Sequence, residues 1–161
     1  MVMTTALLGR AALVAAALSL ALPASSMARA ASDTAVAGAA RAGITIKASS
    51  SRFGTILTDG AGRTLYLFTA DRGKTSRCYG ACAKAWPVAY AKGTPRAGAG
   101  ARASLIGRTK RSDGRFQVTY RGRPLYYYVG EPAGQVLCQN VNEFGGLWLV
   151  VRPDGRAVRG G

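Results

Sequence analysis

The chain repeats itself at a fixed spacing. The segment Gly-Arg-Thr-Leu-Tyr-Leu-Phe at 62–68 returns sixty residues later as Gly-Arg-Pro-Leu-Tyr-Tyr-Tyr at 122–128. The correspondence extends to an acid, a cysteine and, two residues out of register, a tryptophan: Asp71 with Glu131, Cys78 with Cys138, and Trp86 with Trp148. One register over so many positions predicts two copies of a single structural unit. We therefore expect two half-domains that face each other about an approximate two-fold axis.

The repeated units have the pattern of β-strands. Seven short runs rich in β-branched and aromatic residues lie between turn sequences, at 44–47, 54–58, 63–69, 105–109, 116–120, 124–129 and 147–151. Glycine-containing turns such as Asp59-Gly60 and Arg121-Gly122 separate them, and glycine permits the positive φ of tight hairpins. The pattern predicts an all-β fold: an antiparallel sandwich or open barrel of two pseudo-symmetric repeats, with at most a short helical turn within 76–86.

The first thirty residues have the features of a secretory signal peptide. Arg10 precedes an apolar run at 11–22, which is too short to span a membrane, and Ala28-Arg29-Ala30 provides the small residues of a cleavage site. We expect export with cleavage after Ala30 and no transmembrane segment in the remaining chain.

The remaining chain is expected to form a single β domain behind a flexible leader. Residues 31–43 are mostly Ala, Gly, Ser and Thr and form the predicted leader, whereas 44–161 carries the bulky residues that a core requires. Within this domain we place repeat one at about 53–90, a surface loop at about 91–103 and repeat two at about 105–158.

The chain is strongly basic. It has 22 Lys and Arg against 7 Asp and Glu, a formal charge of +15, and removal of the signal peptide leaves +13. Such a chain attracts polyanions, and an exported protein meets anionic envelope polymers before it meets nucleic acid. We expect those polymers as partners, without specific nucleic-acid binding, and note the basic cluster at 108–111. The alternative is that the charge only maintains solubility.

Several ordered motifs resemble those of one known family. Residues 66–71 contain the pattern Tyr-x-aromatic-x-x-Asp, and 126–131 repeat it with Glu131 as the acid. Further blocks accompany it in order: Cys78-x-x-x-Cys82, Ala85-Trp86-Pro87, 113–120, 142–148 and 153–155. Over about 53–158 the sequence resembles a family of bacterial secreted proteins and predicted lipoproteins, described as a secreted repeat of unknown function. The resemblance implies export but no established activity.

The sequence departs from that family in two respects. Many relatives are lipoproteins, whereas no cysteine stands near the cleavage site here to carry a lipid. The family often has His where this chain has Arg123, and this sequence contains no His.

Three cysteines in an oxidising compartment predict one disulfide, and three pairings are possible. Cys78 and Cys82 are four residues apart with Gly80 between them, so a turn brings them within reach, and this pair recurs in the resembling family. We therefore favour Cys78 with Cys82. The competing bridge joins Cys138 to either of them and closes a loop of about sixty residues.

Aromatic residues of the motif share one face of their strands. Alternation places Tyr66 beside Phe68 and Tyr126 beside Tyr128 on that face. Packing in the core is the favoured interpretation, and an exposed aromatic platform for sugars or quinone-like ligands is the alternative. Trp86 and Trp148 are predicted to be buried equivalents that anchor the two repeats.

The motif acids, Asp71 and Glu131, follow their strands by three residues. We expect each to cap a turn or to pair with an arginine such as Arg72 or Arg77, although two acids brought together by the two-fold axis have the oxygen ligands that a hard cation prefers. A Ser or Cys nucleophile usually needs a neighbouring base, most often His, which is absent. We predict no catalytic residue, metal or cofactor.

Taken together, these features favour a non-enzymatic binding or structural component of the cell envelope or extracellular space. The alternative, from a different class, is a redox or electron-transfer accessory protein that uses the cysteines and the aromatic rings.

Overall fold

The computed structural model describes residues 42–160. The predicted signal peptide and residues 31–41 of the predicted leader lie outside the described residues. This described part of the chain contains nine strands: β1 Ala42–Ser51, β2 Gly54–Asp59, β3 Tyr66–Phe68, β4 Thr94–Ala97, β5 Ile106–Lys110, β6 Phe116–Tyr120, β7 Arg123–Pro124, β8 Val141–Glu143 and β9 Gly146–Val150. A short helix, α1 Ala81–Ala85, lies within the predicted helical segment, and a 3-10 turn spans Ala103–Leu105.

These strands form three small sheets of three strands each, in the orders β2-β1-β4, β3-β9-β8 and β5-β6-β7. Strands joined by tight turns pair antiparallel: β1 with β2, β5 with β6, β6 with β7, and β8 with β9. The described strands close no barrel, and the arrangement is sandwich-like. The prediction of an all-β fold with one short helix is confirmed.

One strand contradicts the predicted loop at 91–103. Residues Thr94–Ala97 form β4, which pairs with β1 in parallel, with Thr45 opposite Arg96 and Ile46 opposite Ala97. The prediction that neighbouring strands pair antiparallel holds for hairpins, because a tight turn reverses the chain. It does not extend to β4, which no tight turn joins to β1 and which reaches β1 only after the whole first repeat has intervened.

The two repeats exchange strands with each other. In one half, Thr69 of repeat one donates its main-chain N–H to the carbonyl of Leu147 in repeat two, at 2.9 Å. In the other half, the equivalent Val129 of repeat two donates to the carbonyl of Ala85 in repeat one, at 3.1 Å. The segment around each tryptophan therefore pairs with the tyrosine strand of the other repeat. This reciprocal pairing is what an approximate two-fold axis between the repeats produces.

Strand β3 is buried on both faces, because it lies between two clusters of core residues. Tyr66 and Phe68 point into a cluster with Trp86, Tyr126 and Trp148. The opposite cluster is mainly aliphatic and includes Leu65, Leu67, Leu125, Leu149 and Val151. The alternation of a strand sends successive side chains to opposite faces, so one short strand joins both cores. No helix among residues 42–160 is long and apolar enough to cross a membrane.

Candidate functional site

The motif acids are each bonded to the motif tyrosine of the other repeat. Tyr66 donates its hydroxyl to the Glu131 carboxylate at 2.5 Å, and Tyr126 donates to the Asp71 carboxylate at 2.9 Å. Both tyrosines are fully buried. Burial and then the neighbouring carboxylate raise the pKa of each phenol, so both remain protonated donors at neutral pH. The motif thus links the repeats in both directions.

Asp71 and Glu131 differ in how far they are buried. Asp71 is buried, and it also accepts the main-chain N–H of Arg77 at 2.8 Å. Desolvation raises its pKa, against the opposing effect of these hydrogen bonds and of the Arg123 and Arg111 charges. Glu131 is half-exposed and also accepts the main-chain N–H of Leu137 at 2.6 Å. Both acids therefore cap turns, and within 42–160 neither forms an ion pair with an arginine side chain.

The aromatic residues of the motif pack in the core, as the favoured interpretation predicted, and do not form the alternative exposed platform. Trp86 and Trp148 are fully buried and stack on each other, with ring centroids 3.9 Å apart and an interplanar angle of 4°. Phe68 also stacks on Trp148, with ring centroids 4.2 Å apart, and the Tyr128 ring lies 5.0 Å from that of Trp86. Only Tyr128 is partly exposed among these rings. The stack joins the two halves and has no open face for a sugar.

The disulfide prediction is confirmed, since Cys78 and Cys82 are bonded. Cys78 is fully buried and Cys82 nearly so. Cys138, the repeat equivalent of Cys78, is a free thiol with intermediate exposure. Burial and the Glu131 carboxylate raise the pKa of this thiol. These environments favour inert cysteines, because a reactive thiol needs a lowered pKa and access.

Sequence reasoning missed a buried arginine. Arg111 was grouped with the basic surface cluster at 108–111, but it is only 4% exposed, whereas Arg108 and Lys110 are exposed. One guanidinium nitrogen, Nη1, donates to Ser76 and Gln117, both at 2.6 Å, and Nη2 donates to the Cys78 carbonyl, also at 2.6 Å. Arg111 therefore braces the disulfide loop from inside and is unavailable to a partner.

Two grooves contain the corresponding arginines of the two repeats, Arg63 and Arg123. The first, of about 510 Å³, is lined by Asp59, Arg63 and Tyr127 among others, and we call it the acid–tyrosine groove. The second, of about 440 Å³, is lined by Leu67 and Ala157 and by four arginines, and we call it the arginine groove. Its arginines are Arg121, Arg123, Arg156 and Arg159. Arg63 corresponds to Arg123, and Tyr127 to Leu67, in the sixty-residue register.

The acid–tyrosine groove is electrically balanced at its centre. The Arg63 guanidinium lies 2.7 Å from the Asp59 carboxylate and 4.0 Å above the Tyr127 ring, and the Tyr127 hydroxyl donates to the same carboxylate at 3.2 Å. In the arginine groove, Thr119 stands where repeat one has Asp59. Arg123 consequently lacks the ion pair of Arg63 and donates instead to the Phe68 carbonyl at 3.1 Å.

The described residues contain no group of three or more Cys, Asp or Glu side chains placed to hold a metal ion. The geometry defines an all-β protein of two interleaved repeats, in which the motif tyrosine of each repeat donates a hydrogen bond to the motif acid of the other. Its sequence matches the model of the Lipoprotein_15 family, a secreted repeat of unknown function, at residues 47–90 and again at 107–152, and the chain belongs to that family. The two matches fall on the two structural repeats, which confirms the resemblance. No curated protein and no solved structure matches the chain.

Proposed function

We propose that this protein is a non-enzymatic component of the cell envelope or extracellular space that binds anionic polymers through its surface charge. One observation carries the proposal: nineteen basic residues stand against six acids between 42 and 160, and most of the basic side chains form no ion pair. The family is described as secreted, so its members encounter such polymers outside the cytoplasm.

The six carboxylates between 42 and 160 all accept hydrogen bonds from within the protein. Their donors are Arg63 for Asp59, Tyr126 for Asp71, Arg115 for Asp113, Tyr66 for Glu131, Trp86 for Glu143 and the main chain of Arg156 for Asp154. A hydrogen bond from a neutral donor leaves the charge of a carboxylate in place, but six acids cannot balance the more numerous lysines and arginines. The field at the surface is therefore dominated by lysine and arginine.

Few of the basic side chains form ion pairs with these carboxylates. Nineteen Lys and Arg residues lie between 42 and 160. Among them, ion pairs with carboxylates form at Arg63, Arg111, Arg115 and Arg156. The remaining fifteen form no ion pair within residues 42–160, and this excess of positive charge favours association with a polyanion and steers it towards the surface.

The burial of the reactive groups supports a binding role over an enzymatic or redox one. The buried Asp71 carboxylate and the phenols of Tyr66 and Tyr126 are used in bonds between the repeats, where a substrate does not reach them. The buried disulfide of Cys78 and Cys82 lacks the access that thiol exchange requires. The redox alternative consequently has less support.

A salt-dependent pull-down tests the proposal. The mature protein is incubated with an immobilised anionic wall polymer and, as a matched control, with a neutral polysaccharide of similar length. Binding to the anionic polymer should weaken steeply between about 0.1 M and 1 M salt, because the screening length falls from about 10 Å to about 3 Å. Retention that is equal on both matrices, or flat with salt, contradicts the proposal.

A further inference from the structure

The structure assigns a specific phosphate site to the arginine groove: we propose that it holds a phosphate ester group of an anionic envelope polymer. This inference rests on the proposed function, because it names the part of the surface and the chemical group through which the polymer is held.

The arginine groove concentrates positive charge in a concave site. Arg121, Arg156 and Arg159 are exposed and Arg123 is half-buried, and all four line one groove of about 440 Å³. One carboxylate, that of Asp154, lies beside it, with an oxygen 3.8 Å from Nε of Arg156. The Arg156 main-chain N–H, followed by the charges of Arg156, Arg121 and Arg102, lowers the pKa of Asp154. Asp71, which is buried, also feels the charge of Arg123. Four guanidinium groups against these two carboxylates leave a local excess of positive charge.

The corresponding arginine of repeat one shows that the fold does not require Arg123 to lack an ion pair. There the acid Asp59 neutralises Arg63 at 2.7 Å, and Tyr127 covers the guanidinium. In the arginine groove, Thr119 replaces the acid and Leu67 replaces the tyrosine. Equivalent positions of the two repeats thus hold an ion-paired arginine in one repeat and an arginine without an ion pair in the other.

A strained residue supports the same conclusion independently. Arg121 has a φ of 48° and Gly122 has a φ of 71°, which together form the two-residue turn between β6 and β7. Such a turn favours Asn, Asp or Gly at its first position, and a larger side chain there carries a conformational cost. An arginine at this position needs a reason outside stability. Its side chain lines the arginine groove.

The turn at 152–156 is shaped to admit that arginine. Gly155 has a φ of 80°, and a Cβ built on it would lie 2.6 Å from the Cβ of Arg121. Any side chain at 155 would therefore displace Arg121. The Nη1 of Arg121 donates to the Asp154 carbonyl at 3.1 Å, which holds the guanidinium beside Arg156 and Arg159.

The geometry favours phosphate esters over other anions and a polymer over a membrane. Planar guanidinium groups bind carboxylates and phosphates alike through paired, charge-assisted hydrogen bonds, so the preference for phosphate comes from the number of arginines. Several arginines around a small concavity suit one compact, multiply oxygenated group that projects from a chain. A flat lipid surface would instead meet exposed residues on a convex face. Leu67 and Ala157 provide an apolar wall for the carbon backbone of the polymer.

Isothermal titration of the full mature chain with an oligomer of glycerol phosphate, at low ionic strength, tests the site. The groove variant is Arg156→Gln with Arg159→Gln. The matched control is Arg108→Gln with Lys110→Gln, which removes the same charge from the exposed strand β5. The groove variant should bind about tenfold more weakly or worse, and the control should lose about twofold at most.

The outcomes separate this inference from the proposed function. Equal weakening in both variants overturns the groove site but leaves charge-driven binding intact. Binding of a carboxylated polysaccharide as tightly as the glycerol phosphate oligomer overturns the assignment to phosphate. If the protein binds vesicles of anionic phospholipid more tightly than the oligomer, and the groove variant weakens that binding, the ligand is a membrane surface and the assignment to a polymer is overturned. No binding of the wild type to any polyanion at low ionic strength defeats the proposed function as well.

A single substitution distinguishes loss of the site from loss of the fold. Asn adopts the left-handed conformation readily, so Arg121→Asn should raise the melting temperature while it weakens binding of the glycerol phosphate oligomer. A rise in stability with undiminished affinity would overturn the role of Arg121 in the site.

Discussion

Tyr66 and Tyr126 exchange two main-chain hydrogen bonds, each N–H donating to the other carbonyl at 2.9 Å. These residues occupy the same position in the two repeats, so the approximate two-fold relation passes between them. Their hydroxyls then reach the acid of the opposite repeat, Glu131 and Asp71. The spacing of tyrosine and acid along the motif consequently serves the pairing of two copies, and a single copy cannot satisfy its own tyrosine in this way.

Removing the tyrosine hydroxyls should destabilise the fold unequally. Tyr126→Phe leaves the buried Asp71 without one donor and should lower the free energy of unfolding by about 1–3 kcal/mol. Tyr66→Phe should cost less, about 0.5–1.5 kcal/mol, because Glu131 is half-exposed and water can replace the lost bond. Urea unfolding of both variants measures the difference. A larger loss for Tyr66→Phe would contradict this account.

Asp71 should make stability fall as the pH rises. Burial raises its pKa above the ordinary value of 3.8, so the folded state binds the proton more tightly than the unfolded state. The stabilisation is complete below the unfolded pKa and is lost as the pH rises through the folded pKa. The free energy of unfolding of the wild type, relative to Asp71→Asn, should therefore decrease from acid towards neutral pH.

A second acid supplies the control of opposite sign. Asp113 is exposed, and its hydrogen bond with Arg115 lowers its pKa. Its stabilisation is present above the unfolded pKa and is lost as the pH falls through the folded value. The stability of the wild type relative to Asp113→Asn should thus decrease towards acid pH. Parallel profiles for the two variants would refute the assignment of Asp71.

The tryptophan stack should behave as one unit. Trp86→Ala and Trp148→Ala should each lower the free energy of unfolding by about 3–5 kcal/mol, because both rings are fully buried. Since the rings contact each other at 3.9 Å, the double variant should lose less than the sum of the two. Chemical denaturation of the three variants tests this, and strict additivity would show that the rings act independently.

The local features of this fold could be predicted from the sequence, whereas the pairing between repeats could not. Strand alternation and glycine turns predicted the hairpins and placed Tyr66 and Phe68 on one face, because these properties depend on near neighbours. The Trp86 and Trp148 segments each pair with the tyrosine strand of the other repeat. The sequence pattern of the two repeats is the same, so it does not show whether a segment pairs within its own repeat or with the other one. The parallel strand β4 could not be predicted for a similar reason. Its composition resembles that of a loop, and only its pairing with the distant strand β1 makes it a strand.

The candidate site shows a similar division. Composition revealed the excess of positive charge, but it gave no indication that Arg111 lies inside while Arg121, Arg123, Arg156 and Arg159 share a groove. Their positions depend on the turn at 152–156 lying against the β6–β7 turn. The sequence offered one usable signal, the replacement of Asp59 by Thr119 at equivalent positions, which removes the ion-pair partner of the repeated arginine.

The disulfide should stabilise a local turn without holding the domain together. Cys78 and Cys82 close a loop so short that the chain-entropy estimate gives about 2 kcal/mol, less than a bridge to Cys138 would provide. The repeats are joined instead by main-chain bonds such as those of Tyr66 and Tyr126. We therefore expect the double variant Cys78→Ala with Cys82→Ala to unfold cooperatively at a modestly lower temperature, with native tryptophan fluorescence below that transition.

Cys138→Ser provides the matched control, since it removes the free thiol and leaves the disulfide in place. This variant should keep the melting temperature of the wild type and lose the single thiol that native protein presents to a labelling reagent. Labelling of Cys138 in the wild type should be slow at neutral pH, because burial and Glu131 raise its pKa and so suppress the thiolate.

Arg111 donates to the Cys78 carbonyl and to Ser76 through bonds that do not involve sulfur, so the turn retains this support without the disulfide. Fluorescence of the double alanine variant that matches the unfolded protein would show that the disulfide, and not the exchanged strands, holds the two repeats together.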